Sequence, residues 1–106
     1  MNKSKYNLRY LPMFYDDVYA VVDYIKYKLD NPKAALNLVN EIENKILKRL
    51  PNCENFECYH SKLKTKYPYY RIYVQNFVIY YVVIDGRIME VRRLLYKRQD
   101  TTKYIV

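Results

Sequence analysis

The chain has no tryptophan, a single histidine (His60) and only two cysteines (Cys53 and Cys58). A structural zinc site wants four Cys or His ligands, and one C-x4-C pair with one nearby His falls short. The two thiols therefore read as reduced loop residues rather than metal ligands. No metal and no cofactor is expected. Long apolar runs are also missing. The longest, Phe77 to Ile84, is the size of a strand, and the stretch from Met1 to Arg9 is polar, without the pattern of a signal peptide. A cytoplasmic protein without a membrane partner is expected. No helix-turn-helix or zinc finger is present to read DNA bases.

Acidic residues are scarce in one region. None occurs between Cys58 and Ile84, whereas Lys62, Lys64, Lys66 and Arg71 all fall there. A second basic cluster, Arg92, Arg93, Lys97, Arg98 and Lys103, follows. The net charge is +8 from 19 Lys and Arg against 11 Asp and Glu, and tyrosine is the other excess, at 15 residues. Such a chain suits an anionic partner, nucleic acid first, an acidic protein or an anionic surface next. Tyr67, Tyr69, Tyr73, Tyr96 and Tyr104 lie among the cations and offer surfaces on which bases stack.

The 106 residues suit one domain, 1–106, and half of them are hydrophobic, enough for a thin core shared by one sheet and two helices. Lys5 to Leu11 alternates with Tyr6, Leu8 and Tyr10 on one side, the period of a strand. Pro12 opens a helix whose apolar positions are Phe14, Val18, Val21, Val22, Ile25 and Leu29. Asp16 and Asp17 early in it, and Lys26 and Lys28 late, suit the helix dipole. Asn31 caps a second helix, which Pro32 opens, Ala35, Leu38, Val39, Ile42, Ile46 and Leu50 stripe, and Pro51 stops. Pro51 to Lys66 is a long connection. Tyr69 to Gln75, Phe77 to Ile84 and Ile88 to Leu95 read as strands, joined by turns at Gln75-Asn76 and Asp85-Gly86. The expected fold is α+β, order β-α-α-β-β-β, with a helical hairpin packed on a mostly antiparallel four-stranded sheet. At least one of Tyr80 and Tyr81 is core. Strand alternation sends Arg92 and Arg93 to opposite faces, so that only one joins a basic patch.

These elements carry short motifs: Val22-Asp23-Tyr24-Ile25 in the first helix, N-P-x-A-A from Asn31 to Ala35, Y-R-I-Y-V from Tyr70, V-I-Y-Y-V-V from Val78, and V-R-R-L-L-Y-K-R-Q-D from Val91 to Asp100. Together, and in this order across nearly the whole chain, they resemble the RelE/ParE superfamily of toxins. That resemblance implies the toxin of a bacterial type II toxin–antitoxin system, neutralised by a cognate antitoxin and meeting operator DNA only through it. One branch of the superfamily cleaves mRNA in the ribosomal A site, without metal, by attack of a 2′-hydroxyl. The other inhibits DNA gyrase.

The nuclease reading comes first on the residues, the gyrase inhibitor second, and a catalytically inactive antitoxin-binding module third. Arg98 and Tyr104 match the family's nuclease arginine and tyrosine, Arg71 stands at a strand lysine position, and Tyr96 where some relatives have histidine. These four are the candidate catalytic residues; Lys62, Lys64, Lys66, Arg93 and Lys97 are the candidate RNA contacts. Two departures weaken the match. Val78 stands nearest the place of an arginine, and Tyr73 replaces a second lysine. His60 reads as a loop residue, since nothing adjacent would orient it.

Overall fold

A computed structural model describes residues 5–58 and 66–99 of the chain. His60, Lys62, Lys64, Lys103 and Tyr104 lie outside the described residues, as does Asp100. Strand β1 (Asn7–Tyr10) leads into helix α1 (Pro12–Asp23), which runs on as one π-helical turn (Tyr24–Lys28). Helix α2 (Pro32–Arg49) and a 3-10 turn (Leu50–Asn52) follow, then β2 (Tyr70–Val74), β3 (Phe77–Ile84) and β4 (Ile88–Tyr96). The sheet order is β1-β4-β3-β2. The last three strands form an antiparallel meander, and β1 pairs parallel to β4. This is the expected α+β order, with one parallel pair at the edge.

Local chemistry accounts for most element ends. The Asn31 side-chain oxygen accepts from the Ala34 N–H at 3.1 Å, so the cap read from the sequence is made. Asp85 and Gly86 both take positive φ (53° and 65°), and Arg87 N–H donates to Ile84 C=O at 3.0 Å. Two successive left-handed residues form the hairpin turn whose twist matches the flanking strands, and glycine takes the second place without strain.

The two sheet faces are both apolar but unequal. On the helix side, Tyr70, Ile72 and Val74 of β2, Phe77, Ile79, Tyr81 and Val83 of β3, and Met89, Val91 and Leu94 of β4 pack under Phe14 and Val21 of α1 and Leu38, Ile42 and Ile46 of α2. The other face holds a smaller cluster of Tyr69, Val78, Tyr80, Val82 and Leu95. Tyr80 and Tyr81 are both buried, on opposite faces, because neighbours alternate across a strand and each face carries an apolar cluster.

Four details depart from the sequence reading. The π turn admits an extra residue, seen in the Leu29 N–H to Tyr24 C=O bond of 3.1 Å, and rotates Leu29 out of the buried stripe to 55 % exposure. Asp16 and Asp17 lie beyond the first turn of α1, which holds no acid. Asp17 instead reaches β4: its carboxylate accepts from Arg93 Nε at 2.7 Å, Arg93 Nη2 at 2.8 Å and the Leu94 N–H at 2.9 Å. Finally, the β3–β4 register slips by one residue between Tyr80 and Tyr81. Tyr80 pairs with Arg93 and Tyr81 with Val91, so Arg92 is the extra residue of a bulge. Arg92 meets Glu90 and Tyr69, whereas Arg93 meets Asp17 of α1.

Candidate functional site

The meander brings the end of β4 beside the β2–β3 turn. The Lys97 N–H donates to the Asn76 carbonyl at 2.8 Å, and the Gln99 side-chain oxygen accepts from the Tyr96 N–H at 3.1 Å. These bonds fix a cavity of about 460 Å³ lined by Asn76, Tyr96, Lys97 and Arg98. Just beside it, on the face away from the helices, Tyr73 of β2 stands 48 % exposed. The Arg71 guanidinium lies 5.6 Å and the Lys97 ammonium 5.7 Å from the centre of its ring. Among the described residues no carboxylate comes within ion-pair distance of Lys97 or Arg98.

Helix α2 holds this edge in place. Lys45 Nζ donates to the Tyr73 carbonyl at 3.1 Å and Arg49 Nη1 to the Arg71 carbonyl at 3.2 Å. The two cations are one helical turn apart and so meet carbonyls two residues apart on β2. Arg49 also donates to the Tyr81 hydroxyl at 3.0 Å and stacks over Phe56 at 3.6 Å. The Tyr81 hydroxyl donates in turn to the Cys53 carbonyl at 2.7 Å. Burial pushes the Tyr81 phenol up to about 12 and the Cys53 thiol up to about 11, so both stay protonated at neutral pH. Neither is a base or a nucleophile.

The candidate residues divide. Arg71, Lys97 and Arg98 gather at this end of the sheet. Tyr96 belongs to the cavity, but the register sets it opposite Phe77, on the helix side, with ring centres 4.8 Å apart. It does not share a face with Arg71. Arg93 is engaged by Asp17 with only 11 % of its side chain exposed, which makes it a tie between α1 and β4 rather than a free cation. Lys66 lies beside Tyr67, ahead of β2 and at the far end of the sheet from Lys97. Val78, where the family's nucleases carry an arginine, is 2 % exposed in the apolar cluster. Asn76, Gln99 and Lys45 were not among the site residues read from the sequence. The meander itself is the signal for the first two, since residues following β4 must meet the turn between β2 and β3.

The opposite margin of this face carries a separate network. Glu90 is the buried charged residue among those described, at 4 % exposure. It accepts from Arg9 Nε at 2.8 Å and Arg92 Nε at 2.7 Å, and also pairs with Arg9 Nη2. Burial alone would raise its pKa, but the Arg92 and Arg9 bonds outweigh this and hold it below the ordinary carboxylate value. Arg92 also donates to the Tyr69 hydroxyl at 3.0 Å. Both cations are thus tied to the one Glu90 carboxylate.

On the helical side, α1 and α2 leave an apolar groove of about 360 Å³, lined by Tyr10, Phe14, Tyr15, Val18, Val39 and Ile42 among others. Among the described residues no group of three or more Cys, His, Asp or Glu is placed to hold a metal, and no helix is long and apolar enough to cross a membrane.

No family model matches the chain, and no curated protein does. A solved structure described as the chromosomal ParDE TA system from P. aeruginosa superposes with a TM-score of 0.70, covering 87 % of this chain and 96 % of that one at 15 % identity. The helical hairpin on a four-stranded mixed sheet, in the order β-α-α-β-β-β, is thus a ParE-like α+β fold.

Proposed function

We propose that this chain is the toxin of a bacterial toxin–antitoxin pair of the RelE/ParE type, and that its toxic end is the basic end of the sheet around Tyr73, Lys97 and Arg98. The observation that carries this reading is the pair Lys97 and Arg98, which meet no carboxylate among the described residues, beside the Arg71–Tyr73 edge at one end of a ParE-like fold. Elsewhere the described basic residues of the sheet are tied to Asp17 or Glu90. A cognate antitoxin is the partner. The apolar groove between α1 and α2 and the exposed cations suit an amphipathic segment with acidic residues. Contact with operator DNA would belong to the antitoxin.

Of the two targets implied by the resemblance, we put gyrase inhibition ahead of mRNA cleavage in the ribosome, reversing the order taken from the residues alone. Cleavage needs cations and proton-transferring groups converging on one phosphate. Val78 is buried among apolar neighbours where an arginine would act, Tyr96 faces away from Arg71, and Arg93 is committed to Asp17. Binding a target asks only for an exposed cationic surface, which Lys97 and Arg98 provide. The nuclease reading keeps one supporting observation, namely Arg71 and Lys97 on either approach to the Tyr73 ring. Inducing the chain in a bacterial cell, with 5′-end mapping of mRNA beside a plasmid supercoiling assay, separates the two. Intact messages with relaxed plasmid support the gyrase reading, and cuts within translated codons replace it with the nuclease.

A further inference from the structure

Strand β2 is an outer strand of the sheet, with β3 on one side and, among the described residues, no strand on the other. The Arg71 and Tyr73 carbonyls are bonded by side chains of α2, so both residues turn their backbone groups away from β3. In an antiparallel strand the N–H and C=O of one residue point the same way. An edge of this kind, in a strand as rich in Tyr, Ile and Val as Tyr70–Val74, is a template for a further strand.

Helix α2 lays a row of polar side chains along that edge. Glu41, Lys45 and Arg49 follow one another four residues apart, a rise of about 6 Å along a helix. Alternate residues of a strand are about 6.6 Å apart. The two spacings nearly coincide, so the row meets every second residue of the edge. Glu41 Oε1 accepts from Gln75 Nε2 at 3.0 Å, Lys45 Nζ donates to the Tyr73 carbonyl at 3.1 Å and Arg49 Nη1 to the Arg71 carbonyl at 3.2 Å. Glu41 and Lys45 also pair with each other at 3.8 Å. The acceptors that an incoming strand needs are thus already taken.

The strand that suits this edge is its own copy. Two such edges set antiparallel about Ile72 place Arg71 of each opposite Tyr73 of the other, the register in which the outward groups bond one another. That register sets a guanidinium beside a phenol ring and no like charges opposite each other. The same two groups already approach to 5.6 Å within the strand. We propose that β2 is a pairing surface for β2 of a second copy of this chain, held shut in the monomer by Glu41, Lys45 and Arg49. The inference stands apart from the toxin reading and needs neither target.

The test is sedimentation velocity of the full chain over a concentration series at physiological salt, which screens the net charge. The Lys45 side chain is 43 % exposed, so Lys45→Ala should melt with the wild type, and the melt is recorded as the control. This variant should self-associate about tenfold more tightly than the wild type, and adding Arg49→Ala, which frees the second carbonyl, should tighten it further. Lys45→Arg keeps a donor and should behave as the wild type. In the associated variant the Arg71 and Tyr73 amides should gain protection from hydrogen exchange, whereas in the wild type they should exchange faster than Ile72 between them. Adding Tyr73→Pro to Lys45→Ala removes an outward N–H, which an edge strand tolerates, and should return the chain to monomer. A folded Lys45→Ala chain that associates no more than the wild type would overturn the proposal. Association that survives Tyr73→Pro would do the same, since another surface would then be responsible. Slow exchange of the Arg71 and Tyr73 amides in the wild-type monomer would contradict the open edge without recourse to any variant.

Discussion

Replacing Asp17 with alanine should be among the most damaging single changes in this protein, although the residue lies on neither apolar cluster. Its carboxylate takes three bonds of 2.7 to 2.9 Å, two from the Arg93 guanidinium and one from the Leu94 N–H. The side chains are 11 % and 14 % exposed, so water replaces little of what is lost. Removing one partner of such a pair in a poorly solvated place costs about 3–5 kcal/mol. The orphaned Leu94 N–H adds to this, but not independently, because the same carboxylate serves both. Partial exposure argues for the lower end, about 3 kcal/mol. A domain of this size has only about 5–15 kcal/mol in all. In urea, with a slope of about 1–3 kcal/mol per molar, the midpoint should fall by roughly 1–3 M. The double variant Asp17→Leu with Arg93→Met should recover much of the loss, since it removes both charges together. A loss below about 1 kcal/mol for Asp17→Ala would refute the reasoning and mean that the pair is weak and screened like a surface ion pair.

Three further outcomes follow from the same geometry. The lowered pKa of Glu90 means that its contribution to stability is complete above the ordinary carboxylate pKa, about 4.3, and is lost as pH falls through the lower folded value; acid unfolding of Glu90→Gln should therefore lose stability relative to wild type at pH 7 and converge with it at the acid end. Cys53 is fully buried with its thiol raised to about 11, whereas Cys58 is half-buried, so iodoacetamide at neutral pH should label Cys58 first and Cys53 only on unfolding; early labelling of Cys53 by mass spectrometry would contradict the packing. Asn31→Ala should cost about 1 kcal/mol in denaturant unfolding through loss of its bond to the Ala34 N–H, and Asn31→Asp should restore it.

Local rules carried the sequence a long way. The Asn31 cap with Pro32 behind it, the Asp85-Gly86 turn and the apolar run from Phe77 to Ile84 each depend on a few adjacent residues, and each is found in the structure. What could not be read depends on distant or irregular partners. The parallel pairing of β1 with β4 joins residues some eighty positions apart, and nothing within either strand specifies it. The π turn shifts the helical period by one residue, which is why Leu29 fits a buried stripe on paper and is exposed in the fold. The bulge at Arg92 likewise interrupts strand alternation. At the candidate site, Arg71, Lys97 and Arg98 were legible as clustered charge. The capture of Arg93 by Asp17, and the turning of Tyr96 toward Phe77, were not, because each requires knowing which element lies across the way.

The proposed toxin role places its action at the basic end of the sheet. The direct measurement is growth of a bacterial culture on induction of the wild type beside the Lys97→Ala/Arg98→Ala double variant, with both accumulating to equal levels. Arrest by the wild type and continued growth with the variant are expected; the two exposed side chains have no ion-pair partner among the described residues. Unimpaired growth with the wild type, or equal arrest by both, would contradict it.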